Sequence, residues 1–395
     1  MTTNRRCGGF TFSGLACGIK KNGLKDLGLI YSDTPATVAG VFTRNRVQAA
    51  PVLLDRQRIG NGVCRAVIVN SGNANCCTGA DGLADAEAMA RAASGALDVA
   101  EAQVLVASTG VIGEPLPVPK IEAAAPGLVA ALAPDGAMRF AEAIMTTDTA
   151  PKCVVERGQI DGREFTILGM AKGTGMIRPD MATMLAFVCT DVVASADTLT
   201  PMLQDACNRS FNCITVDGDT STNDTVLLLA NGCSTVSIDT VEAHDQFRQA
   251  LDRVLLALAR WLVKDGEGAT KLVDIRVSGA ANDHDARQVA DTVANSNLVK
   301  TALFGEDANW GRIMAAVGRA GVAMAPEQVD IYFDDVMMVQ GGRGCGKSVE
   351  TAATEVMKKN AFIISIDLHM GAGSACMLTC DFSYDYVKIN ADYRT

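Results

Sequence analysis

The sequence predicts a mixed α/β protein in which some sheets are covered on both faces, and three observations carry that prediction. Strand-like and helix-like segments alternate along nearly the whole chain. Strands such as Cys64–Asn70 (CRAVIVN) stay apolar without alternating, the pattern of a sheet buried on both sides. The chain has 395 residues, 48% hydrophobic and 20% charged, an ordinary globular profile. At about one domain per 150 residues, that length suggests two or three lobes.

Taken in order, Cys64–Asn70 reads as a buried strand running into Ser71-Gly72-Asn73. Asp85–Val99 is Ala-rich with helical spacing, and Gln103–Ala107 (QVLVA) is a second strand. The Ala- and Pro-rich stretch Ile121–Ala137 is expected to be a surface excursion, because proline punctuates regular structure. Met138–Met145 carries a helix signal that ends in Thr146-Thr147-Asp148-Thr149. Cys153–Glu156 and Glu164–Gly169 form an expected hairpin about Asp161-Gly162, a dipeptide suited to tight turns. A strand at Met184–Val192, a helix near Leu199–Arg209 and a strand at Thr225–Ala230 follow. Gln246–Val263 is the clearest amphipathic helix, and Lys264-Asp265-Gly266 stops it. Val329–Phe333 and Phe362–Asp367 read as strands, with a helix-like Val349–Lys359 between them. No internal repeat and no low-complexity tract is visible.

Charge excludes some functions. Lys plus Arg is 35 and Asp plus Glu is 45, a formal net charge of −10. An acidic chain without Lys/Arg blocks is not built to hold nucleic acid or an anionic membrane. No apolar stretch reaches the ~18 residues of a bilayer span, since Arg260 interrupts even Val254–Val263. No apolar run follows Arg5 and Arg6, so no secretory signal is visible and the expected address is the cytoplasm. Thirteen scattered cysteines without a C-x-x-C pair fit a reducing compartment. Three histidines, at 244, 284 and 369, leave little material for a zinc site or a Ser-His-Asp triad, and no metal is expected. Among 37 glycines, many fall in polar loops at strand ends: NSGNAN, STGVIG, AKGTGM, DGEG and MGAGSA. Each is most simply a turn, although several such loops converging would let backbone approach a ligand closely.

Two constellations could carry chemistry. Gly341–Ser348 (GGRGCGKS) fits the phosphate-loop pattern G-x-x-x-x-G-K-[ST], whose backbone N–H groups cradle phosphates. Only 47 residues follow it, too few for the parallel sheet such folds build after the loop, so a glycine-rich turn is the plainer reading. The second is Lys172–Phe187 (KGTGMIRPDMATMLAF), a loop leading into a strand that Thr183 begins. Threonine commonly starts strands. It also becomes a nucleophile without any histidine when it is an N-terminus, because its own α-amine serves as base.

Lys172–Phe187 resembles the signature of the glutamate N-acetyltransferase / ornithine acetyltransferase family of arginine biosynthesis. NSGNANCCTG at 70–79, STGVIG at 108–113, TTDT at 146–149 and ITVDGDTSTNDT at 214–225 resemble the family in the right order. So do DGEGATK at 265–271, FGEDANWGR at 304–312 and the tail Asn390–Thr395, so the resemblance spans essentially the whole chain. It implies a layered helix–sheet sandwich of the ornithine acetyltransferase type, akin to but distinct from N-terminal-nucleophile hydrolases. It also implies a precursor that cleaves itself between Ala182 and Thr183. The products are an α chain of residues 1–182 and a β chain of 183–395, associated and expected as two of each. By the same resemblance Thr183 attacks the acetyl group of N2-acetylornithine, Thr109 and Gly110 form the oxyanion hole, and glutamate is the acceptor. Substrate contacts map onto Thr146, Lys172, Thr183, Glu267, Asn390 and Thr395. No resident cofactor is implied; acetyl-CoA is a second acetyl donor in some members of the family.

Each of these residues also has a plain structural reading. Thr146 caps a helix end or turn as readily as it binds. Lys172 and Glu267 are more often solvated loop charges, and Lys172 suits a substrate carboxylate while Glu267 suits an amine. Asn390 and Thr395 lie at a terminus, where disorder is the default. Asp217–Asp224 (DGDTSTND) resembles a cation loop, but turn chemistry explains it equally well. His369 follows an apolar strand and reads as a core or strand-end residue. Two other functions stay open: an N-terminal-threonine amidohydrolase, which gives the acyl group to water, and a nucleotide-binding protein using Gly341–Ser348.

Overall fold

A computed structural model describes residues 4–21, 23–178 and 184–392. They fall into two compact units, Met1–Asn212 with Asp219–Leu262, and Cys213–Gly218 with Val263–Arg394. The expected chain boundary at 182/183 falls outside the described residues.

The first unit contains β1 (Phe10–Leu15), β2 (Leu27–Phe42), α1 (Ala50–Arg58), β3 (Val63–Asn73), α2 (Gly79–Leu97), β4 (Val104–Val111), α3 (Val118–Ala130) and α4 (Ala137–Ala143). It continues through β5 (Lys152–Ile160), β6 (Arg163–Lys172), β7 (Leu185–Thr190), α5 (Ala196–Arg209), β8 (Thr225–Ala230) and α6 (Val241–Lys264). The strands form one sheet in the order β4-β3-β2-β8-β7-β6-β5, with β1 added on β2. Pairs β3/β4 and β7/β8 are parallel, and the other neighbours are antiparallel. The non-alternating strands are explained by the two cores they serve. Ala66 and Ile68 of β3, with Val104 and Val106 of β4, pack with Met89, Ala90 and Leu128. Val67 and Val69, with Leu105, point the other way and pack with Phe140, Phe187 and Leu227. A period of two thus remains, hidden because both faces are apolar.

One expectation fails here. Ile121–Ala137 is not a surface excursion: α3 and the start of α4 occupy it. Ile121, Ala125 and Leu128 recur at helical spacing and are buried, which decides the matter over proline content. Pro119 falls in the first turn, where its missing N–H has no intrahelical partner to lose, and Pro126 is accommodated inside the helix. The hairpin about Asp161-Gly162 forms as the dipeptide predicts, with φ of 49° and 77° and Ile160 opposite Arg163.

The second unit holds β9 (Leu272–Ala280), α7 (Asp283–Ala294), α8 (Asn297–Phe304), α9 (Trp310–Gly318), β10 (Asp330–Phe333), β11 (Val336–Gln340) and β12 (Arg343–Gly344). Helix α10 (Lys347–Met357), β13 (Ala361–Asp367), β14 (Gly373–Cys380) and α11 (Tyr384–Asp392) complete it. Its sheet runs β12-β11-β10-β13-β9-β14. Ile275, Val277 and Ile364 of the sheet pack with Val289, Val293 and Ile313 of the helices.

The phosphate-loop pattern is a hairpin. Gly341 and Gly342, with φ of 50° and 72°, make the two-residue turn between antiparallel β11 and β12. Three N–H groups of the pattern are spent on acceptors of the chain itself. Gly341 N–H donates to Asp330 Oδ1 at 2.8 Å, Gly342 N–H to the Val329 carbonyl at 2.8 Å, and Cys345 N–H to the Met338 carbonyl at 3.0 Å. His369 lies just beyond β13, exposed, with Nε2 at 2.9 Å from Asp330 Oδ2. Among the described residues, no helix is long and apolar enough to cross a membrane.

Candidate active site

The parallel ends of β3 and β4 bring two of the glycine-rich loops together. Gly110 has φ +134°, and a Cβ there would stand 2.4 Å from the Gly72 carbonyl carbon and 2.5 Å from the Asn73 nitrogen. Only glycine lets these backbones approach so closely. Side chains brace the same spot. Ser108 Oγ donates to Asn70 Oδ1 at 2.6 Å, and Asn70 Nδ2 donates to the Asn73 carbonyl at 2.8 Å. Thr109 and Gly110 therefore sit on a backbone held in place, next to the irregular step in the ladder at Gly72/Asn73.

Lys172, the last residue of β6, reaches this end of the sheet. Its Nζ donates to Thr146 Oγ1 at 2.8 Å and to Thr109 Oγ1 at 3.3 Å. Three of the expected site residues thus meet around one ammonium. Lys172 is 3% exposed, so it is no solvated loop charge. The Thr109 hydroxyl accepts from a cation, which leaves its own proton to donate and makes that O–H a stronger donor. That is what a group facing a developing oxyanion requires.

The buried charge is balanced by Asp148 from the TTDT segment. Asp148 Oδ1 accepts from Lys152 Nζ at 2.7 Å and from Gly173 N–H at 2.8 Å, and Oδ2 accepts from Thr146 N–H at 3.0 Å. Burial alone would raise its carboxyl, but the Lys172 and Lys152 charges and the Gly173 N–H outweigh it and hold the pKa below the ordinary range. Lys20 adds a third amine, its Nζ donating to the Met145 carbonyl at 2.6 Å and the Lys25 carbonyl at 2.9 Å. Burial pushes the Lys20 ammonium down to about 8, with Asp26 opposing that shift and the like charge of Lys172 adding to it.

In the second unit Glu267 and Asn390 meet. Asn390 Nδ2, on α11, donates to Glu267 Oε2 at 2.9 Å, and Glu267 is 9% exposed, again no solvated charge. Gly268, at φ +67°, lets α11 come near, since a Cβ there would meet the Tyr386 nitrogen at 2.5 Å. The tail at Asn390 is helical rather than disordered. Ala182, Thr183 and Thr395 lie outside the described residues.

Sequence reasoning passed over Asp148, Lys152 and Lys20. TTDT carried a signal for the first: an acid among hydroxyls after a helix, two strands before a buried lysine. Asn223 and Asp224, read from the sequence only as part of a turn or cation-like loop at Asp217–Asp224, are buried and bonded to backbone.

A comparison with protein families matches the ArgJ family over residues 11–395. The chain belongs to the ArgJ family. ArgJ relatives resemble it over nearly their full length. The arginine biosynthesis bifunctional protein ArgJ of Geobacter sulfurreducens is 52% identical over 389 residues, covering 98% of this chain and 99% of that protein. The protein of the same description from Syntrophotalea carbinolica is 53% identical over 390 residues, with 98% and 99% coverage. Among solved structures, the arginine biosynthesis bifunctional protein argJ of Bacillus halodurans is 41% identical with a TM-score of 0.50, covering 52% of this chain and 98% of that chain.

Proposed function

We propose that this ArgJ-family enzyme cuts itself between Ala182 and Thr183 and then transfers acetyl from N2-acetylornithine to glutamate. The observation that carries the reading is the buried meeting of Thr109, Thr146 and Lys172 beside Gly110. In the self-cleavage, Thr183 Oγ attacks the Ala182 carbonyl, the Ala182–Thr183 C–N bond breaks to free the threonine amine, and water hydrolyses the resulting ester to the Ala182 carboxylate and the free Thr183 hydroxyl. That amine then takes the hydroxyl proton as Oγ attacks the acetyl carbonyl of the donor. Thr109 O–H and Gly110 N–H donate to the oxyanion. Collapse returns the proton to the departing nitrogen, so ornithine leaves and acetyl stays on Thr183. Glutamate's neutral amine attacks that ester through a second oxyanion, giving N-acetylglutamate and the free threonine.

Lys172 and Thr146 suit the polar end of the substrate, while Glu267, oriented by Asn390, suits an amine by opposite charge. Thr395 completes the substrate set that the family resemblance implies. The reading needs no resident cofactor or metal, includes acetyl-CoA as an alternative acetyl donor, and places the enzyme in the cytoplasm as two α and two β chains. A further fact supports the cut. The solved Bacillus halodurans chain is matched over 98% of its length by only 52% of this chain, the share that one of two similar fragments occupies.

The test is intact mass together with two-substrate kinetics. From a 41.3 kDa chain, pieces of roughly 19 and 22 kDa are expected. Thr183→Ala should stay whole and inactive. Donor alone should add about 42 Da to the fragment beginning at Thr183, and double-reciprocal lines should be parallel. Intersecting lines with no acetylated threonine would sink the scheme. Acetate release independent of glutamate would make the enzyme an amidohydrolase instead.

A further inference from the structure

Asn223 and Asp224 are consecutive, 5% and 0% exposed, and each grips one side of the transfer apparatus. Asn223 Nδ2 donates to the Ala74 carbonyl at 2.7 Å and to the Ser108 carbonyl at 2.8 Å. Its Oδ1 accepts from Thr222 Oγ1 at 2.6 Å. Both amide hydrogens are therefore spent on backbone, one of them on the residue directly before Thr109. A flipped amide would put oxygen against two carbonyls, so the orientation is fixed. Asp224 faces the other way. Its Oδ1 accepts from Met184 N–H at 2.9 Å, while the next residue, Thr225, donates its N–H to the Met184 carbonyl at 3.2 Å. Residue 184 is held at both its polar backbone groups, at the head of β7.

The loop that carries the pair is itself pinned. Thr43 Oγ1 donates to the Ser221 carbonyl at 2.7 Å, Thr43 N–H donates to the Asp224 carbonyl at 3.0 Å, and Ala49 N–H to the Thr222 carbonyl at 3.0 Å. We propose that Asn223-Asp224 is a positioning pair: Asn223 fixes the backbone that presents Thr109 and Gly110, Asp224 fixes Met184 at the head of β7, and the single peptide between them couples the two. The inference rests on the reading of Thr183 as nucleophile. Neither residue touches the reacting atoms. Displacement of a reacting group by about 1 Å costs roughly 10²-fold in rate, so a fixed spacing is worth building. What Asp224 contributes is the hydrogen bond its Oδ1 accepts from Met184 N–H; burial pushes its carboxyl up, against that N–H and the charge of Lys172. A neutral amide should therefore replace it.

The experiment compares full-length wild type, Asn223→Ala, Asp224→Ala and Asp224→Asn for self-cleavage, kcat, KM and thermal midpoint. Asn223→Ala should lower kcat by about 10- to 100-fold with both KM values within about threefold, because donors are misplaced while substrate contacts remain. Asp224→Ala should slow cleavage and transfer at least about tenfold, and Asp224→Asn should restore both to within about threefold. An Asn223→Ala enzyme with unchanged kcat, or with KM raised and kcat kept, overturns the proposal. So does Asp224→Asn as defective as Asp224→Ala. If Asn223→Ala does not fold, the order of the two Asp224 variants alone decides. Wild type that is active uncut, or never acetylated on Thr183, refutes the threonine reading itself. Wild type that cuts and transfers, matched by the variants, refutes only the positioning pair.

Discussion

Replacing Asp148 by asparagine tests the electrostatic centre of the site. The Asp148 and Lys152 side chains are both fully excluded from solvent and meet at 2.7 Å. Removing one partner of such a pair leaves an uncompensated buried charge, at a cost of about 3–5 kcal/mol. Hydrogen bonding adds to this. With the amide oxygen placed to serve Lys152 and Gly173, the new NH₂ group must face Thr146 N–H, donor against donor, for roughly 1 kcal/mol or more. At about 2–4 °C per kcal/mol for a unit of this size, the midpoint should fall by roughly 10–20 °C at pH 7. The sign with pH follows from the depressed carboxyl. Its contribution is complete above the ordinary carboxylate range and is lost only as pH falls through the lower folded value. Thermal melts of wild type and variant at pH 7 and pH 5 should therefore differ equally, and converge only in stronger acid. The double variant Asp148→Leu/Lys152→Met should lie closer to wild type than the single one. A shift under about 3 °C at pH 7, or one that has vanished by pH 5, would refute the reasoning.

Gly110→Ala should cut kcat by about 10²-fold or more, since its methyl must displace Gly72 and Asn73 or move the oxyanion donor; steady-state kinetics checks it, and a loss under threefold means that this backbone is not the hole. A cysteine in the other unit should be reactive. The Cys376 thiol hydrogen-bonds to Cys213 and, against burial and with help from Arg287 Nη1 at 3.6 Å, holds its pKa down to about 6. Iodoacetamide at pH 7 should label Cys213 before the exposed Cys233, with a rate midpoint near pH 6 that rises in Arg287→Ala. Peptide mapping that finds Cys233 labelled first would contradict this.

Much of the fold was legible because apolar runs and turn dipeptides are local signals. The hairpin at Asp161-Gly162 and the helix over Gln246–Val263 form where their residues say they should. Helix α3 was misread because prolines stand out in a sequence, while the burial that licenses a helix around Pro126 is a tertiary fact. The same division holds at the site. Loops such as STGVIG and NSGNAN announce close backbone, but not which loops meet. Lys172 looks like any loop lysine until β6 carries it to Thr109 and Thr146. Asp148 and Lys152 are four apart, the first inside TTDT and the second in no motif, and nothing in the sequence pairs them; what marks them is their shared dryness.

The strand order also dictates a history. Strands β7 and β8 follow residue 183, yet they lie between β2 and β6, which precede it. Lys172 pairs opposite Leu185 on one side of that wedge, and Phe42 opposite Thr225 on the other. A fragment ending at 182 would on its own expose two raw edges, β2 and β6, each a template for adventitious pairing and aggregation. On the proposed cut at 182/183, the chain would be made whole and zip its later strands into the gap before any break. Pieces from the proposed cut would stay interlocked by two ladders of backbone hydrogen bonds, so separately expressed halves should precipitate rather than find each other.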